Sequence, residues 1–237
     1  MRVFRGRADS IAADRDASQR LLSAAADGEP AVRVWTPHRQ VAFGRRDARL
    51  EGYDRAREAA AERGYPPVER DVGGRAVAYD GETTLAFARA EPVADLRAGT
   101  TERYDRATAA LERALRTLDL EPMRGEPDDS FCPGTHSLSV ADASADGRRR
   151  KLVGIAQRVR SDAALVAGIV LVTGRAALAG VLEAVYEALG VPFDPASVGT
   201  VADAGGPSDP DAVRTALEEA LIGEASDVSI ERIGGGR

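Results

Sequence analysis

Apolar residues along this chain recur first with one period and then with another. Between residues 9 and 27, Ile11, Ala12, Leu21, Leu22 and Ala25 share one side of a helical wheel with charges opposite, which predicts an amphipathic helix. Asp27-Gly28-Glu29-Pro30 supplies the glycine and proline that end it. Residues 53–63 predict a second helix, closed by Gly64, Pro66 and Pro67. Residues 101–118 predict a third, whose stripe of Tyr104, Ala107, Leu111, Ala114 and Leu118 reads as core. Residues 175–189 predict a helix stopped by Gly190, and residues 210–222 a last helix with Pro210 near its start. Between these stretches the pattern shortens to that of strands: residues 1–7, 31–35, 40–43, 83–88, 135–140, 152–160 and 163–172. Segment 40–43 is expected beside 31–35. Segment 83–88 is expected as the partner of the strand that follows the paired glycines, with Leu85 and Phe87 pointing inward. Segments 152–160 and 163–172 are expected to form a hairpin around Arg160-Ser161-Asp162. The tail from Ile233 to Arg237 reads as frayed.

Composition narrows the possibilities. A chain of 237 residues, 43% of them hydrophobic, suits one globular domain with a substantial core. A net charge of −6 argues against nucleic acid as a partner, because phosphate binding needs a basic face. A lone cysteine permits no intramolecular disulfide, so a reducing cytoplasm is the expected location. The first residues lack the apolar core of a signal peptide, and no run approaches the roughly 20 apolar residues a membrane span needs, so no membrane partner is expected.

Candidate chemistry concentrates between Asp128 and Arg160. This stretch holds the chain's one cysteine, Cys132, and its one lysine, Lys151, among 32 basic residues. A single cysteine is either a small buried hydrophobe or a nucleophile. Pro133 and Gly134 follow it, which puts it in a turn instead of an apolar run. Lysine, unlike arginine, takes part in proton transfer. A hairpin would bring the two residues face to face. A second motif is Arg70-Asp71-Val72-Gly73-Gly74-Arg75-Ala76. It is no P-loop, since no Gly-Lys-Ser/Thr follows, and no dinucleotide fingerprint, since a strand follows it.

Three strings together resemble the biotin/lipoate protein ligase superfamily. They are Ser130-Phe131-Cys132-Pro133-Gly134, Lys151-Leu152-Val153-Gly154-Ile155-Ala156-Gln157, and the Arg70–Ala76 motif. The cysteine setting is similar to that of the cysteine-dependent octanoyl amidotransferase branch. The resemblance implies an α+β fold, with a mixed, largely antiparallel sheet flanked by helices. It implies one catalytic domain over residues 1–237, with a small helical extension from about 191. It leaves no room for the separate accessory domain of larger ligases.

The resemblance also implies a reaction. Cys132 would carry an octanoyl or lipoyl group as a thioester and pass it to the lysine of a lipoyl carrier domain. The carriers implied are the glycine-cleavage H protein and the E2 subunits of 2-oxoacid dehydrogenases, with acyl carrier protein as a possible donor. No cofactor is required. An ammonium in contact favours a thiolate, so Lys151 is expected to ionise Cys132 and to give a proton to the departing amine. Arg70, Gly73, Gly74, Arg75, Ala76, Gly154 and Ala156 are implied as acyl- and substrate-binding positions. The two glycines are expected to offer N–H groups to the developing oxyanion. His38 is either a pocket residue or a turn histidine, and His136 either a base or a structural hydrogen bond. No metal ligands are expected. Two alternatives remain: an ATP-dependent lipoate ligase with Lys151 at the adenylate and with ATP and Mg as cofactors, and a non-catalytic carrier-binding member of the fold. An extra acidic-polar insert at 141–147 is where the chain departs from the family pattern.

Overall fold

The structure is a computed structural model that describes residues 1–70, 74–95, 98–141 and 147–234. Its helices begin and end where local chemistry dictates. Ser10 caps α1 (Ile11–Ala26), its side chain accepting the Ala13 N–H at 3.2 Å. Helix α2 runs Tyr53–Glu62 and α3 Thr100–Arg116. Helix α4 (Arg175–Leu189) stops at Gly190, left-handed at φ 66°, and α5 (Pro210–Ile222) starts with proline after an Asp209 cap.

The described strands form two sheets. The larger orders β11 (Ser229–Arg232), β1 (Arg2–Arg5), β2 (Ala31–Trp35), β6 (Thr84–Pro92), β10 (Ala163–Leu171), β9 (Arg149–Val159), β8 (Ser137–Ala141) and β7 (Met123–Arg124). Only the β11–β1–β2 pairings in it are parallel, so the expected mixed, largely antiparallel sheet is present. The smaller sheet orders β4 (Pro67–Glu69), β3 (Gln40–Phe43) and β5 (Val77–Tyr79).

Two expected pairings differ. β3 does not lie beside β2, because residues 36–39, with Pro37 among them, carry the chain into the smaller sheet. Nor does β6 pair with β5. The Asp80 carboxylate accepts the N–H groups of Glu82 at 3.0 Å and Thr83 at 3.3 Å, a turn that returns the chain to the large sheet between β2 and β10. The β9–β10 hairpin forms as expected.

Alternation along β2 and β6 makes the large sheet apolar on both faces. Val32, Val34, Leu85 and Phe87 pack with Leu111 and Leu115 of α3 and with Leu217 and Leu221 of α5. Ala31, Ala88 and Ala90 pack with Leu21 and Leu22 of α1. Each such leucine, fully buried, stabilises the fold by about 1.5–3 kcal/mol. The smaller sheet packs with α2 and α4.

Residues 191–237, expected as a helical extension, share the first of these cores through α5 and add β11 to the sheet edge. The tail is docked as far as Ile233, which is 6% exposed and whose N–H donates to the Arg5 carbonyl at 2.7 Å. Gly73, and residues 142–146 of the acidic-polar insert, lie outside the described residues.

Candidate active site

The site grows from the loop between β7 and β8. Phe131, 1% exposed, is buried in the core beneath the small sheet, so the residue after it emerges at the edge of a cavity of about 440 Å³. That cavity lies between the two sheets, with α1 along one side. Gly154 and Ala156 of β9, Phe87 of β6 and Val77 of β5 all line it, as do Cys132 and Lys151.

Cys132 adopts φ 42°, in the left-handed region that side chains rarely enter. Such a residue costs of order 1–3 kcal/mol and persists only where its surroundings over-determine it. Here both of its peptide groups are held by side chains. Its N–H donates to the Tyr186 oxygen at 2.6 Å, and its carbonyl accepts from Lys151 Nζ at 3.0 Å. Among the described residues, two donors reach its sulfur: the Arg75 N–H at 3.4 Å and Arg70 Nη2 at 3.8 Å. Gly74, at φ 92°, lies against it so closely that a Cβ there would stand 2.9 Å from Sγ.

Lys151 is fully buried, at 0% exposure. Its ammonium donates to Glu126 Oε2 at 2.5 Å, to the Phe131 carbonyl at 2.8 Å and to the Cys132 carbonyl. A buried charge needs that kind of saturation. Glu126 in turn accepts the Gly134 N–H at 2.7 Å and the Ser137 hydroxyl at 2.8 Å, so one carboxylate ties the lysine to both sides of the cysteine loop.

The expectation that Lys151 faces the sulfur is therefore corrected. All three of its donors are spent on oxygens, and the cation at the sulfur is Arg70. Burial works to lower the Arg70 guanidinium, yet Tyr79, Cys132 and Asp47 hold it above its ordinary value. Arg70 Nη2 also donates to the Arg75 carbonyl at 2.5 Å, which fixes it beside the thiol.

The remaining expected positions divide. Arg75 offers its backbone to the sulfur, but its side chain turns to the buried Asp47 at 3.4 Å and not toward a substrate group. Burial pushes that Asp47 carboxyl up, against the Gly44 N–H and Arg75. Ala76 is fully buried and contributes only its carbonyl, which accepts the Tyr186 hydroxyl at 3.0 Å.

Neither histidine lines the cavity. His38 Nε2 sits 2.8 Å from the Ala8 carbonyl, and the His136 ring stacks on Tyr104 at 3.8 Å between centroids. His38 thus lies on the loop as a turn histidine bound to backbone, while His136 makes a ring stack in place of the structural hydrogen bond expected of it. The sequence reading missed Glu126 and Tyr186. Glu126 stood in a polar turn just before the cysteine loop, which is a weak signal. Tyr186 stood in an apolar helix face, which is none.

Residues 11–222 match the family model for the lipoyl protein ligase A/B catalytic domain, and the chain belongs to that family. An octanoyl-GcvH:protein N-octanoyltransferase of Exiguobacterium sibiricum is 32% identical over 141 residues, 58% of this chain and 47% of the relative. An octanoyltransferase LipM of Kyrpidia tusciae is 33% identical over 88 residues, 37% of this chain and 31% of the relative. The matched part spans about half the length or less of these curated relatives. A lipoate-protein ligase A solved with ATP has the same fold, with a TM-score of 0.74 at 20% identity over 98% of this chain and 89% of that one.

Proposed function

We propose that this chain is an acyltransferase of protein lipoylation. In this reading it moves an octanoyl or lipoyl group through a thioester on Cys132 to the lysine of a lipoyl carrier domain. One observation carries the proposal: a sulfur on a strained turn at the cavity, met by the Arg70 guanidinium and the Arg75 N–H. These are donors a thiolate accepts. The names of the octanoyltransferase relatives support the acyl group and the glycine-cleavage H protein as a carrier. E2 lipoyl domains and acyl carrier protein are further carriers in the proposal, which needs neither ATP nor a metal.

The thiolate attacks the acyl carbonyl on the donor carrier. The C–N bond of the donor's acyl-lysine amide breaks as its nitrogen takes a proton from solvent in the open cavity, and the acyl group stays on sulfur as a thioester. The neutral amine of the acceptor's lysine then attacks the thioester and gives its proton back to solvent, the C–S bond breaks, and the thiolate returns. Arg70, already beside the sulfur, also stands near the acyl oxygen as charge develops on it. The apolar walls of the cavity, Phe87 and Val77 among them, suit an alkyl chain. Lys151 contributes by pinning the cysteine loop. Its saturated ammonium also weighs against the ligase alternative, which asks it to meet an adenylate phosphate.

The test is carrier modification by the purified protein. With an octanoylated H protein and an apo lipoyl domain, transfer is expected without ATP and is lost in Cys132→Ala. Modification that requires ATP and survives Cys132→Ala would overturn the proposal in favour of a ligase. No modification by the purified protein under any condition would favour a binding module.

A further inference from the structure

We infer that Tyr186 is a positioning residue for the nucleophile: its phenol oxygen ties the Cys132 backbone to the end of the loop that carries Gly74 and Arg75. The inference rests on the thioester reading of Cys132 and adds a residue which that reading does not use.

Tyr186 is 1% exposed, projects from α4 and does not line the cavity, so substrate does not touch it. Its hydroxyl donates to the Ala76 carbonyl at 3.0 Å and accepts the Cys132 N–H at 2.6 Å. Burial pushes the phenol far up, so it stays neutral and is able to give one hydrogen bond and take another. Next to Ala76, the Arg75 N–H donates to the Cys132 sulfur at 3.4 Å. A closed ring of contacts results. The cysteine is fixed to the same loop twice, once through its backbone by way of Tyr186 and once through its sulfur.

Two consequences follow. Removing the phenol oxygen leaves a buried N–H and a buried carbonyl without that partner, and Cys132 loses one of the two side-chain holds on its backbone at φ 42°, keeping that of Lys151. Its sulfur then moves off the Arg75 and Arg70 donors. The Cys132 N–H is also already committed, so it is not a donor to the substrate's oxygen. Among the described residues, the Arg70 guanidinium and the Arg75 N–H remain as donors at the sulfur.

The experiment compares Tyr186→Phe with Phe193→Leu. The Phe193 ring packs on Tyr186 at 5.0 Å, so the second variant disturbs the packing of the same side chain and keeps its hydroxyl. Two readouts are taken beside the melting temperature: iodoacetamide alkylation of Cys132 at pH 7, which needs no acyl donor, and steady-state octanoyl transfer. Tyr186→Phe is expected to slow alkylation about tenfold. It is expected to lower kcat about 100-fold, with KM for the octanoylated carrier unchanged. Phe193→Leu is expected to melt earlier but to alkylate and turn over as the parent does. Wild-type alkylation by Tyr186→Phe would overturn the inference. So would equal losses in both variants that track their melting temperatures. If the parent protein transfers no octanoyl group, the functional reading fails, and the alkylation result still decides the role of Tyr186.

Discussion

Gly74 and Cys132 constrain one another at the scale of single residues. Gly74 holds φ 92°, and the sulfur fills the space its missing side chain leaves. Gly74→Ala introduces two separate penalties. Adopting the positive φ costs roughly 1–2 kcal/mol, and the new methyl pushes Sγ away from its donors. The expected outcome is a melting temperature lower by a few degrees and alkylation of Cys132 slowed at least tenfold. Differential scanning fluorimetry and mass-resolved alkylation check it; unchanged alkylation would mean that the sulfur does not rest where the geometry puts it.

Much of this was legible. A cysteine followed by Pro-Gly and two adjacent glycines each announce special backbone. What was not legible is which cation the sulfur meets. Arg70 and Lys151 are both candidates in sequence, and the choice depends on where their donors find oxygens. Lys151 finds Glu126 and two carbonyls, a meeting of β9 with the loop between β7 and β8 that no local pattern encodes.

At the scale of elements, ends were more legible than partners. Pro210 and Gly190 mark helix ends through their own backbone chemistry, and α5 and α4 begin and end there. The partner of β3 depends on where Pro37 turns the chain, and period-two alternation carries no such information. Strand β11 escaped notice because it is a sheet edge, with Ile230 55% exposed, and so lacks a buried stripe.

One contact between elements carries a pH dependence. Arg124 of β7 donates to Glu112 of α3 at 2.8 Å, and that hydrogen bond holds the Glu112 carboxyl below its ordinary 4.5 although burial opposes it. The folded state thus binds this proton less readily than the unfolded chain. The stabilisation is present above pH 4.5 and is lost as pH falls through the lowered folded value. Arg124 is half exposed, so the contribution is at most about 1 kcal/mol and weakens with salt. Glu112→Gln is expected to be slightly less stable than the parent at pH 7 and to converge with it in acid. Urea titrations at both pH values measure this; a gap that widens in acid contradicts it.

At the scale of the molecule, both sheets contribute to the cavity at Cys132. The large sheet supplies its β6, β9 and β10 wall, the small sheet faces it, and the cysteine loop reaches its edge from between β7 and β8. Helix α4 backs the small sheet and sends Tyr186 to the underside of that loop. The family was readable from three short strings because described residues of each, Arg70, Cys132, Lys151 and Gly154 among them, line this cavity, where few residue types satisfy the geometry. The central claim is that the sulfur at its edge carries the acyl group. Intact-mass spectrometry of the protein after exposure to an octanoylated carrier without ATP tests it most directly. The account predicts one octanoyl increment, mapped to Cys132, reversed by an apo lipoyl domain. Transfer between carriers with no adduct on Cys132, or with full retention of activity in Cys132→Ala, would contradict it.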